Sequence, residues 1–107
     1  MMHSPMEKVK EKAEIDEDIV QMAAFAKAMS HPVRMYILMK LSKMNACCYS
    51  GDLAEELQVS PSTLSQHFKE LKHVGLIQNH MELPYIKYCI NQKNWERART
   101  MFYSLFE

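Results

Sequence analysis

The apolar positions of this chain change period several times, and each change marks an element. From Asp16 to Met29, the residues Ile19, Met22, Ala23, Ala26 and Met29 recur at helical spacing, with acids in the first turn where the helix dipole favours them. Ser30-His31-Pro32 breaks that run, and Pro32 opens a second helix through Lys43 with a strongly apolar centre: Val33, Tyr36, Ile37, Met39 and Leu41, with Lys40 among them. A shorter helix spans Ser50 to Leu57, with Leu53, Ala54 and Leu57 apolar. After Gln58-Val59-Ser60, the segment Pro61 to Val74 places Leu64, Phe68, Leu71 and Val74 on one stripe. The period then drops to two over Ile77–Met81 and Ile86–Ile90, around Glu82-Leu83-Pro84-Tyr85, which reads as a β-hairpin. It becomes helical again after the N-cap Asn91, with Trp95, Ala98, Met101, Phe102 and Leu105 as the stripe. Residues 1–15 show no such pattern and read as a flexible polar arm, leaving residues 16–107 as one folded domain.

The segment around Pro61 is the most informative. Ser60 suits the N-cap, Pro61 the first helical position and Gly75 the end, so both boundaries are chemically marked. Opposite the apolar stripe stand Ser62, Thr63, Ser65, Gln66 and Lys69, small polar groups on a helix joined to its predecessor by three residues. Two helices so connected form a helix-turn-helix, and the hairpin after them is placed as its wing. The hydroxyls and the Gln66 amide suit hydrogen bonding at base edges in the major groove. Lys69 and Lys72 suit phosphates, which position a protein on DNA without reading sequence.

Charge sharpens this picture. The 107 residues sum to zero, but residues 1–18 hold three lysines against six acids, while residues 61–99 hold six bases against three acids. The basic excess therefore coincides with the candidate reading helix. No apolar run approaches the roughly 20 residues of a membrane span, and neither end carries a secretory pattern, so a cytoplasmic protein is expected. There is no glycine-rich phosphate loop, carboxylate pair or nucleophile triad that the fold would assemble, so no enzyme is read here. No cofactor is required. The wide stripe on the last helix needs a cover, which the first helix or a second copy of the chain could supply.

The segments Ala28-Met29-Ser30-His31-Pro32-Val33-Arg34 and Ser62-Thr63-Leu64-Ser65-Gln66-His67-Phe68-Lys69-Glu70-Leu71-Lys72-His73-Val74-Gly75-Leu76-Ile77 together resemble the ArsR-type winged helix-turn-helix repressors over about residues 16–105. The resemblance implies a mainly α fold with a small β-hairpin, dimerising through the N- and C-terminal helices. It implies a homodimeric repressor that binds a double-stranded DNA operator and releases it on a signal. His67 matches a histidine common in that family, where it touches the DNA backbone or buttresses the helix. The wing departs from the family pattern of a Gly-Arg tip: only His80 and Lys87 flank it, with Lys87 the candidate for DNA contact. The last helix has no histidine, which removes the zinc-type site found there in some relatives.

Cys47 and Cys48 precede the helix-turn-helix, and Cys89 lies in the second wing strand. In a winged helix the former segment commonly pairs with the latter strand, so the three sulfurs form a candidate site for As(III) or Sb(III) as inducer. Adjacent residues on a strand face opposite sides, which weighs against all three as ligands. Buried packing thiols and a cysteine redox switch are the other readings of the same residues. A winged-helix protein-interaction module without DNA binding is the remaining functional alternative.

Overall fold

The computed structural model describes residues 14–44 and 47–107. In chain order it contains α1 (Glu17–Met29), α2 (Pro32–Met44), β1 (Cys48–Tyr49), α3 (Ser50–Leu57), α4 (Pro61–His73), β2 (Ile77–Glu82), β3 (Tyr85–Ile90) and α5 (Gln92–Phe106). Most of the expected arm, residues 1–13, lies outside the described residues. Helix starts fall where capping side chains stand: Asp16 accepts from the Ile19 N–H at 3.0 Å, Ser60 from Thr63 at 3.2 Å and Asn91 from Asn94 at 3.1 Å.

The fold is mainly helical with a small antiparallel sheet, as the sequence implied. The sheet has three strands in the order β1-β3-β2. In the wing, Ile77 pairs with Ile90 and Glu82 with Tyr85, leaving a two-residue turn at Leu83-Pro84 where the alternation suggested four. The strands run on because pairing, not burial, extends them: Met81, Glu82 and Tyr85 are all exposed.

α4 is the keystone of the core. Leu64, Phe68 and Leu71 are buried to within 1%. The Phe68 ring stacks on Tyr88 of β3 with centroids 3.8 Å apart and planes 10° from parallel. Each such side chain contributes about 1.5–3 kcal/mol by leaving water, so this stripe is what holds the helix-turn-helix to the sheet.

The stripes of α1 and α2 differ from expectation. α1 buries Phe25 and Ala28, while Ile19, Ala23 and Ala26 are exposed. α2 buries Ile37, Leu38 and Leu41, while Tyr36 and Met39 are exposed. Both helices carry apolar residues on more than one side, so periodicity could not select the buried face.

Gly75 ends the α4 segment in a conformation that side chains resist, with φ +85°. A Cβ there would lie 2.6 Å from Asn94 Nδ2, whose amide donates to the Gly75 carbonyl at 2.9 Å. Gly75→Ala is therefore expected to lower stability by more than about 1 kcal/mol. Urea unfolding at fixed protein concentration checks this, and an unchanged midpoint would show that the turn is not constrained.

Candidate nucleic-acid interface and the adjoining cysteine pair

The exposed face of α4 starts at a pinned N-terminus. Ser60 Oγ caps the helix, lies 3.3 Å from Ser62 Oγ and donates to Thr63 Oγ1 at 2.9 Å, so the first two candidate readers are ordered by the cap itself. Ser65, Gln66, Lys69 and Lys72 follow and are all exposed. Together they present hydroxyls, one amide and two ammonium groups on one side of a rigid helix, the chemistry required to read base edges and grip phosphates.

His67 and Lys87 are committed to other groups. His67 is half-buried, and its Nδ1 lies 3.2 Å from Arg34 Nη1. Its ring centroid is 4.3 Å from that of His31. Burial, and then the neighbouring His31 and Arg34, hold its pKa below the ordinary histidine value. Lys87 pairs with Glu82 at 2.7 Å and sits 5.7 Å above the centre of the Tyr49 ring. Tyr49 also donates to Glu82 at 2.8 Å. Lys87 first, then Tyr49, hold the Glu82 carboxyl below the usual carboxylate range. The wing base is thus a neutralised Lys87–Glu82–Tyr49 group, with Tyr85 edge-on to Tyr49 at 5.9 Å.

Arg34 is the residue whose part went unassigned in the sequence. Its Nε donates to the Ala28 carbonyl in the last turn of α1 at 2.6 Å, while its Nη1 reaches His67. A signal was present, because a base in the first turn of α2 opposes the helix dipole and implies a specific partner.

The cysteines divide two and one. β1 pairs Cys48 with Tyr88 and Tyr49 with Lys87, which puts Cys47 directly across from Cys89. These two form a disulfide with Cα atoms 4.4 Å apart, the spacing of a directly opposed cross-strand pair without backbone hydrogen bonds. Cys47 is exposed and Cys89 buried. Cys48 points the other way, packs against the hydrophobic core, and burial raises its thiol pKa. The three-sulfur set is therefore not assembled in this structure, because consecutive strand residues face opposite sides. Among the described residues no group of three histidine, cysteine or acidic side chains is arranged to hold a metal.

Residues 31–79, from His31 through the helix-turn-helix into β2, match the family model described as bacterial regulatory protein, arsR family. The HTH-type transcriptional regulator YgaV of Escherichia coli K12 is 35% identical over 83 residues, covering 78% of this chain and 83% of that protein. The chain belongs to the ArsR family. The structure of HlyU from Vibrio cholerae N16961 superposes with a TM-score of 0.70 at 25% identity, covering 81% of this chain and 90% of that one. Reduced HlyU from the same organism gives 0.66 at 27% identity, covering 77% and 82%.

As an ArsR-family member the chain is a winged helix-turn-helix DNA-binding transcriptional regulator and not an enzyme. That membership disfavours the alternative of an interaction module without DNA binding. No helix among the described residues is long and apolar enough to cross a membrane.

The neutralised wing base predicts a specific response. Glu82→Gln should release Lys87, raising DNA affinity at low salt and steepening the salt dependence by about one phosphate contact. Titrations of labelled DNA across a salt series would show this, and an unchanged slope would place the wing base away from DNA.

Proposed function

We propose that this ArsR-family chain is a homodimeric, cytoplasmic, sequence-specific repressor. Its hold on operator DNA is set by the chemical state of the Cys47–Cys89 pair. The observation that carries this reading is the position of that pair. β1 is only two residues long and runs directly into α3, the first helix of the helix-turn-helix. Cys47 and Cys89 clasp β1 to the strand on which Phe68 of α4 stacks. Opening the clasp leaves β1 held by its short ladder alone, and the position of α3 relative to α4 loosens with it.

The exposed Cys47 is the sulfur that a solution reagent meets first. Thiol–disulfide exchange with a low-molecular-weight disulfide would transfer two electrons from the two thiols, close the Cys47–Cys89 bond and release two small thiols. As(III) bridging the two reduced sulfurs is the second reading, since both stand within reach of one soft centre. Dimerisation is supported by the apolar surface left on α1 and α5. Val20 is exposed on α1, and the exposed Tyr103 and Phe106 line a cleft of about 340 Å³ with Met29, Trp95 and Phe102. A two-fold pairing there would match a palindromic operator.

The test is fluorescence anisotropy on the duplex upstream of the protein's own coding sequence, with a random duplex as control. Reduced, oxidised and arsenite-treated protein are compared. A difference of roughly tenfold or more between states, coupled through ~1–3 kcal/mol, is expected. It should vanish in both Cys47→Ser and Cys89→Ser and persist in Cys48→Ser. Equal affinity in all states would remove the thiol signal. Within the same assay, Gln66→Ala should relax sequence preference, whereas Lys69→Ala should weaken all duplexes alike and lower the salt slope by about one. Wild-type behaviour of both variants would place the reading face elsewhere.

A further inference from the structure

Arg34 carries donors only, so the Nδ1 atom of His67 that it approaches must be a bare lone pair. That leaves the proton of the neutral ring on Nε2. His31, against the same ring, is fixed likewise, since its Nδ1 accepts the Val33 N–H at 3.1 Å. We propose that Arg34, backed by His31, positions the DNA-reading helix by gripping a neutral His67 in a single tautomer, so that Arg34 and His67 are positioning residues for operator recognition. This rests on α4 being the reading helix.

The geometry gives the grip its reach. Arg34 is anchored at one edge on the last-turn carbonyl of Ala28 in α1 and at the other on α4, so one guanidinium joins α1, α2 and α4. Its target stands one residue after Gln66 and two before Lys69 in sequence, on the half-buried flank of α4 that faces Arg34 and His31 rather than on the exposed face. The charged and titratable groups facing His67 are Arg34 and His31. A proton added to His67 Nδ1 removes the acceptor and sets two cations against each other where a hydrogen bond had been.

The direction with pH follows. Because the folded protein holds His67 below its ordinary value near 6.5, the grip is intact at and above that value and is lost as pH falls below it, through the lowered folded pKa. A histidine that merely touched phosphate would do the opposite, since protonation would strengthen DNA binding. The sign of the pH effect therefore separates a positioning role from a direct contact.

The experiment combines two readouts on the full chain. Long-range proton–nitrogen NMR of the imidazoles in the free protein is expected to show His67 unprotonated at Nδ1 and protonated at Nε2 near neutral pH, and a protonated Nδ1 would overturn the proposal. Anisotropy on the duplex upstream of its own coding sequence, followed stepwise from about pH 7.5 to the acid limit at which the protein stays folded, is expected to show binding that weakens below about pH 6.5. His67→Asn keeps an acceptor near the Nδ1 position and cannot titrate, so it should flatten this profile. It should also bind more tightly than His67→Gln, whose acceptor lies one bond farther out. Arg34→Met should bind roughly tenfold more weakly with the salt slope unchanged. Binding that tightens on acidification through His67, or equal affinities for the Asn and Gln variants, would overturn the proposal. If wild type failed to distinguish this duplex from random DNA, the reading-helix assignment would fall, while the NMR tautomer would still decide the grip.

Discussion

The contact between Phe68 and Tyr88 is the constraint on which the rest of this molecule depends. The outer side of α4 is polar and exposed, so only its inner stripe is available to hold it in place. That stripe is seated on β3 by two rings 3.8 Å apart. β3 is the middle strand, with β1 on one side and β2 on the other. Tyr88 is thus the point at which the wing, the cysteine pair and α4 meet. Its phenol is buried, and burial raises its pKa, so the ring serves as packing. Seating α4 on the central strand ties the helix to both edges of the sheet.

How far the sequence could be read follows from how many signals agreed at each place. At α4 the cap, the proline, the stripe and the glycine all pointed to one helix, and its inward residues Leu64, Phe68 and Leu71 are the buried ones. At α1 and α2 the boundaries were marked but the inward face rested on periodicity alone, which found Ile37 and Leu41 and missed Phe25, Ala28 and Leu38. Tyr36 and Met39 are apolar in character but face outward, and Tyr36 and Lys40 converge on the Glu56 carboxylate of α3. The exposed side of α1 and the end of α5 also carry apolar residues in the open, Ile19, Val20, Tyr103 and Phe106 among them. Pattern alone cannot tell a core face from an interface face.

Site chemistry was legible by residue type and illegible by partner. Lys87 reads as a phosphate contact because a lysine on a wing suggests one, yet the register places Glu82 within 2.7 Å of it. His67 reads as ambiguous because its partner Arg34 lies 33 residues away. The cysteines are the instructive case: the rule that neighbouring strand residues face opposite sides forecasts the division of Cys47 from Cys48. Which of the two meets Cys89 is decided by register, and register is a tertiary property set by the packing of β1.

Zero net charge and DNA binding are reconciled by where the ion pairs fall. Arg97 pairs with Asp18, Arg99 with Glu96, Lys40 with Glu56 and Lys87 with Glu82, so most of these bases are compensated on α5, on α2 or at the wing. All four pairs are solvent-accessible, and pairs of this kind add little stability. Their consequence is electrostatic: they cancel field away from α4. Lys69 and Lys72 form no ion pair among the described residues, against a single acid, Glu70, on the same helix. Two cations outside any such ion pair therefore share α4 with Gln66 and the hydroxyls. On the proposed reading, affinity drawn from two lysines is modest and salt-sensitive, and a larger share of discrimination falls on the exact placement of α4. On that reading, the tethers of α4, at β3 on one side and at Arg34 on the other, set whether it binds.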